Sequence, residues 1–159
     1  MKTIAVLGAS ANRQKFGNKC VRAYRDAGYR VFPVNPGERE IEGLPVCRTL
    51  AEVPAPIDRI SVYLPPALTL SLLPAIARAA GAPGGPGGAG AGADAGSSTG
   101  AAGARLAGTT AGHPAATEVW FNPGSADGAV LAEARRLGIA ARPGCSIVDI
   151  GKRPGEYPG

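Results

Sequence analysis

The sequence predicts an α/β domain, a doubly wound parallel sheet of about five strands. Three observations carry that expectation. A short apolar run rich in β-formers, Thr3 to Leu7, opens the chain and stops abruptly at Gly8. Further β-like runs then alternate with segments of helical period, as parallel strands joined by crossover helices require. The 159 residues suffice for one domain with a real core and are too few for two ordinary ones.

After the first strand, Phe16, Cys20, Val21, Tyr24 and Ala27 fall at helical spacing, and Gly28 is a fitting helix stop. Tyr29 to Val34 reads as a second strand, and Asn35-Pro36-Gly37 turns the chain into a charged loop, Glu38 to Glu42. Ile41 to Val46 reads as extended, and Thr49 to Glu52 carries a weak capping-box pattern for a short helix. Ile57 to Leu64 is the third strand, ended by Pro65-Pro66. A helix from about Ala67 to Ala80 presents Leu68, Leu72, Leu73 and Ile76 on one face, with Pro74 placed to kink or split it.

Glu118 to Phe121 is the fourth strand and closes in Asn122-Pro123-Gly124-Ser125. Ala126 to Leu137 reads as a helix with Val130, Leu131, Ala134 and Leu137 inward and Gly138 as its stop. Ile139 to Ala141 is the fifth strand, and the remainder through Gly151 reads as extended. The expected strand order is third-second-first-fourth-fifth. Trp120 is expected in the core of the fourth strand.

Residues 82–116 stand apart, dominated by Gly and Ala with Leu106 as the lone large aliphatic. Such a composition cannot bury enough apolar surface to offset its ordering entropy, so it reads as a flexible low-complexity insert. It joins the third helix to the fourth strand, at the N-terminal edge of the sheet, away from the edge where open α/β sheets bind ligands. The expected organisation is one domain over residues 1–151, interrupted by 82–116, with 152–159 as a tail.

A net charge of +5 and a pI near 9.4 fit an anionic partner. The basic residues are scattered, without a Lys/Arg run or aromatic interleaving, which argues against nucleic acid. No stretch approaches the roughly 18 apolar residues of a membrane span, and nothing near Lys2 resembles a secretory signal. Cys20, Cys47 and Cys145 lack C-x-x-C spacing and read as reduced thiols of a cytoplasmic protein. With His113 alone in the insert, no metal set assembles.

The chemistry lies in the opening. A buried strand, a tight Gly turn and a helix N-terminus make a phosphate site, because unpaired helix amides and the macrodipole both face the turn. The register Gly8-Ala9-Ser10-Ala11-Asn12-Arg13 departs from the dinucleotide fingerprint G-x-G-x-x-G, with Ser10 and Arg13 at the second and third Gly positions. The second strand ends in Asn35-Pro36, without the carboxylate that holds the ribose of NAD. Arg13, Lys15 and Arg39 place positive charge around the same edge, which suits a nucleotide with an extra phosphate.

Several blocks resemble the small stand-alone CoA-binding proteins, whose Rossmann-like fold is similar to the CoA-binding domain of succinyl-CoA synthetase. They are Val6 to Arg13 with Lys15 to Asn18, Gly28 to Pro36, Glu40 to Gly43, Ile57 to Val62, Val119 to Gly124, and Gly138-Ile139 with Gly144 to Ser146. The resemblance implies coenzyme A or an acyl-CoA as cofactor, held at the C-terminal edge of the sheet. It places the pyrophosphate on the loop Gly8, Ala9, Ser10 to Arg13, and the 3′-phosphate against Lys15 or Arg39. It sets Asn35 and Pro36 beside the adenosine, and Pro65 and Asn122 beside the pantetheine arm.

Cys145 has no base nearby in sequence to activate it and reads as a small buried hydrophobe, so no catalytic residue is assigned. The preferred function is non-catalytic binding of CoA or acyl-CoA, a small-molecule nucleotide ligand. An NAD(P)-dependent oxidoreductase is the alternative, as is a subunit of an acyl-CoA ligase. The ligase would work through a partner chain, since the phosphorylated His and its domain are missing here. A ligase partner or a homo-oligomer are the assemblies left open.

Overall fold

β1 (Thr3–Leu7) is buried along its whole length, so its alternating side chains must satisfy both faces of a sheet. In the computed structural model, which describes residues 1–54, 56–82 and 117–159, they do so. Ala5 and Leu7 join one core with α2 (Pro66–Ala80) and α3 (Gly128–Arg136), while Ile4 and Val6 join another with α1 (Phe16–Asp26). β1 pairs in parallel with β2 (Arg30–Val34) and with β5 (Arg59–Val62), which continues to β6 (Glu118–Phe121) and β7 (Ala140–Pro143). The result is the expected five-stranded parallel α/β sheet of Rossmann-like type, with helices on both faces.

The order, β2-β1-β5-β6-β7, corrects the expected arrangement. The third major strand, β5, lies beside β1 instead of outside β2. The chain after β2 forms only a hairpin of β3 (Glu40–Ile41) and β4 (Leu44–Pro45), then one parallel bridge, Val34 to Cys47. Two-residue strands cannot supply a full ladder at the outer edge, so the next long apolar run crosses to the free side of β1.

Other elements shift more modestly. Pro74 neither kinks α2 apart nor ends it; the ring sits on the solvent side, where the missing amide leaves no buried group unpaired. Leu73 and Ile76 face in as expected, but Leu68 is 47% exposed, and Thr69 takes the inward place by returning its hydroxyl to the Leu64 and Pro65 carbonyls. α3 begins at Gly128 because Asp127 caps it, accepting from the Val130 amide at 3.0 Å. Thr49 makes no side-chain cap; Glu52 instead reaches back to the Arg48 amide ahead of the 3₁₀ turn Leu50–Glu52. Trp120 is half-buried under the Arg59 guanidinium, not deep in the core.

The end of the chain is less extended than its composition implies. Ser146–Asp149 forms a short helix, α4, and Tyr157 packs into the α1-side core. Arg22, buried in α1, binds the carbonyls of Arg13, Tyr157 and Pro158 and so ties the last residues to the loop after β1. Apart from buried Ala82, the Gly/Ala-rich stretch with His113 lies outside the described residues. Among those described, no helix is long and apolar enough to cross a membrane.

Candidate functional site

The carboxyl ends of all five strands open on one cavity of about 710 Å³. Gly8 follows β1, Asn35 follows β2, Tyr63 follows β5, Asn122 follows β6 and Cys145 follows β7, and each lines it. The cavity straddles the β1–β5 junction, where the sheet changes winding direction. That switch point is where open α/β sheets hold ligands.

The first wall is a loop built to approach closely. Gly8 takes φ +86°, and a Cβ there would come within 2.8 Å of the Tyr63 carbonyl oxygen. A Cβ on Gly17 would come within 2.6 Å of the Gly8 carbonyl oxygen, so α1 abuts the loop. Gly17 therefore does the close-packing work that the fingerprint assigns to its third glycine, at a place the linear motif does not cover. Two asparagines hold the loop. Asn18 donates to the Ser10 carbonyl at 2.9 Å and Asn35 to the Ala9 carbonyl at 2.7 Å.

With those carbonyls turned away into the protein, the amides are left for a ligand. Among the described residues, the backbone N–H groups of Ala9, Ser10, Phe16 and Gly17 have no partner, and all four residues line the cavity. The Ser10 hydroxyl accepts from the Asn12 amide at 3.0 Å and keeps its own proton to give. The macrodipole of α1 adds positive potential at the same spot. Lys15, at the N-cap of α1, is the cation in the lining.

Of the ten residues singled out from sequence, Gly8, Ala9, Ser10, Lys15, Asn35, Pro65 and Asn122 meet in this lining. Arg13, Pro36 and Arg39 are not in it. Arg13 Nε lies 3.1 Å from Glu42 Oε1, and Pro36 and Arg39 stand exposed on the turn after β2. Asn122 is buried with its polar atoms spent inside the protein: Nδ2 donates to Ser61 Oγ and the Val62 carbonyl, and Oδ1 accepts from the Ser146 amide. It shapes the wall more than it offers a bond.

The sequence reading missed Glu38, Phe16, Tyr63 and Cys145. Glu38 lines the cavity although the strand tip itself has no carboxylate, and it accepts from the Ala11 amide at 3.4 Å. Phe16 was expected on the inward helical face but is 54% exposed at the cavity rim. Cys145 is half-buried, packed against the α1-side core while one side of it lines the cavity. Behind it, Ser61 and Ser146 share a 2.7 Å hydrogen bond, with Cys20 and Tyr63 closing around them. Burial pushes the Cys20 thiol up to about 11 and the Tyr63 phenol well above its ordinary value, so both stay neutral.

A Rossmann-like sheet with a cavity at its switch point is the arrangement in which α/β proteins of the nucleotide-binding class hold their ligands. The profile of the CoA binding domain family matches residues 2–86, more than half of the chain, and the chain belongs to that family. It is 37% identical over 62 residues to the uncharacterized protein YneT of Bacillus subtilis, covering 39% of this chain and 46% of that protein. It is 34% identical over 64 residues to the ADP-forming acetate–CoA ligase I of Archaeoglobus fulgidus, 40% of this chain and 9% of the ligase. The chain thus spans less than half the length of these curated relatives. A conserved hypothetical protein of Pyrococcus furiosus shares the fold at a TM-score of 0.61 and 24% identity, over 94% of this chain and 99% of that one.

Proposed function

We propose that this chain binds coenzyme A, free or acylated, in the cavity at the strand tips, and acts as a binding module with no chemistry of its own. The observation that carries the proposal is the set of unpartnered amides at Ala9, Ser10, Phe16 and Gly17 facing one cavity beside Lys15. These take the diphosphate. The mostly apolar wall of Tyr63, Pro65, Pro123 and Cys145 takes the pantetheine arm, packing against its methylenes.

Titration calorimetry with CoA, acetyl-CoA, NAD and NADP tests it. Micromolar binding of CoA with none of NAD is expected, and equal or tighter NAD binding removes the proposal. Ser10→Arg, which fills the turn, abolishes binding if the site is placed correctly.

The match to part of an acetate–CoA ligase favours a second reading, in which the module serves an acyl-CoA ligase in trans. Affinity capture returning an ATP-grasp protein, with ligase activity only in the mixture, supports that reading.

A further inference from the structure

Phe16 opens α1 at the mouth of the cavity and leaves 54% of its surface in solvent while forming part of the lining. Single apolar side chains on a surface are ordinary. This one is set apart by its place. It follows Lys15, and its own amide and that of Gly17 have no partner among the described residues. One turn on, the Lys19 ammonium lies 5.5 Å from the ring centroid, a contact that holds the ring in one orientation.

A ligand whose diphosphate sits on these amides carries the groups joined to that diphosphate to either side of it. For coenzyme A they are a pantetheine arm and an adenosine. The apolar wall of Tyr63, Pro65, Pro123 and Cys145 stands at the tips of β5, β6 and β7 and suits the arm. The adenosine is left with the side of α1 and Asn35, where a purine needs a flat apolar partner. Pro36, expected beside it, is exposed outside the lining. Among the described residues, the aromatic side chains of the lining are Phe16 and Tyr63. Tyr63 stands on the opposite wall, its hydroxyl 3.4 Å from Ser146 Oγ. Phe16 is the flat surface that remains.

We infer that Phe16 stacks on the adenine of the bound nucleotide, so that the site selects an adenylated pantetheine over 4′-phosphopantetheine. The inference rests on the proposed binding of coenzyme A and names the residue that meets its base. Stacking covers apolar surface that the free chain leaves in water, and base–aromatic contacts of this kind are worth about tenfold or more in affinity. A phenyl ring reads no hydrogen-bonding edge, so it distinguishes a ligand with a base from one without.

The test is calorimetric titration of the wild type, Phe16→Ala and Phe16→Trp with CoA and with 4′-phosphopantetheine, which lacks the adenosine. Phe16→Ala is expected to weaken CoA by about tenfold or more and to leave 4′-phosphopantetheine within about twofold. Phe16→Trp is expected to keep its affinity for CoA, and CoA but not 4′-phosphopantetheine quenches the added indole emission over the Trp120 background. Wild-type affinity for CoA in Phe16→Ala, an equal loss for the two ligands, or an indole emission unmoved by CoA overturns the inference and leaves the proposed function standing. Absence of CoA binding by the wild type overturns the proposed function, and the inference with it.

Discussion

Gly17 meets the backbone of Gly8 so closely that a Cβ on it would lie 2.6 Å from the Gly8 carbonyl oxygen. One glycine sits in the first turn of α1 and the other ends β1, so their contact sets how near the helix amides stand to the ligand cavity. Because the obstacle is backbone at both sides, nothing small can move aside.

Gly17→Ala therefore pushes α1 off the loop. The expected result is a loss of about 1–3 kcal/mol of stability with CoA affinity reduced below detection, read by denaturant unfolding and calorimetry. A variant that binds normally would show that the helix mouth is not the phosphate site.

Asn18 is fully buried and serves the Ser10 carbonyl, Glu42 and the Arg22 guanidinium at once. Asn18→Ala strips three partners at a fully buried position, and a loss of about 2–4 kcal/mol of stability is expected in denaturant unfolding. Asn35 is only half-buried, so Asn35→Ala costs about 1 kcal/mol and shows mainly as weaker ligand binding.

Cys20 gives the fold an alkaline limit. Burial raises its thiol from an ordinary 9.0 to about 11, so the folded state keeps a proton that the unfolded chain has released. Stability is thus present below about pH 9 and falls as pH rises towards about 11, by about 2–3 kcal/mol at most. Tyr24, raised by burial to about 12, extends the decline. Denaturation midpoints of the wild type across this window slope downwards, and Cys20→Ala flattens the slope.

Ala82 and Thr117 bound the Gly/Ala-rich stretch at the N-terminal side of the sheet, Ala82 bonded to the end of α2 and Thr117 to the Ile57 carbonyl. Replacing residues 83–116 with a short Gly/Ser linker is expected to leave CoA affinity within about twofold, since loop length enters closure entropy only logarithmically. A large loss of affinity in calorimetry would place that stretch in the site.

The alternation of apolar runs and helical periods made the sheet and its helices legible, because burial on both faces leaves period and composition marks in the chain. Strand order was not legible. It turned on whether residues 40–47 make a full outer strand, and that depends on ladder pairing that two-residue strands cannot sustain. The first wall of the cavity was visible as Gly8 to Ser10 before a helix. Glu38 was not, because its place at the cavity follows from how the turn after β2 folds back towards Ala11.

By itself the sequence determined the α/β class, the first βα unit and the edge of the sheet at which the cavity opens, since these follow from local pattern and from the chemistry of a strand–glycine–helix turn. Only the tertiary structure decided which charges face the cavity. Arg13 is drawn to Glu42 and Arg39 is left in solvent, while Lys15 and Glu38 line the cavity, because which neighbour a charge meets depends on distances between residues far apart in the chain.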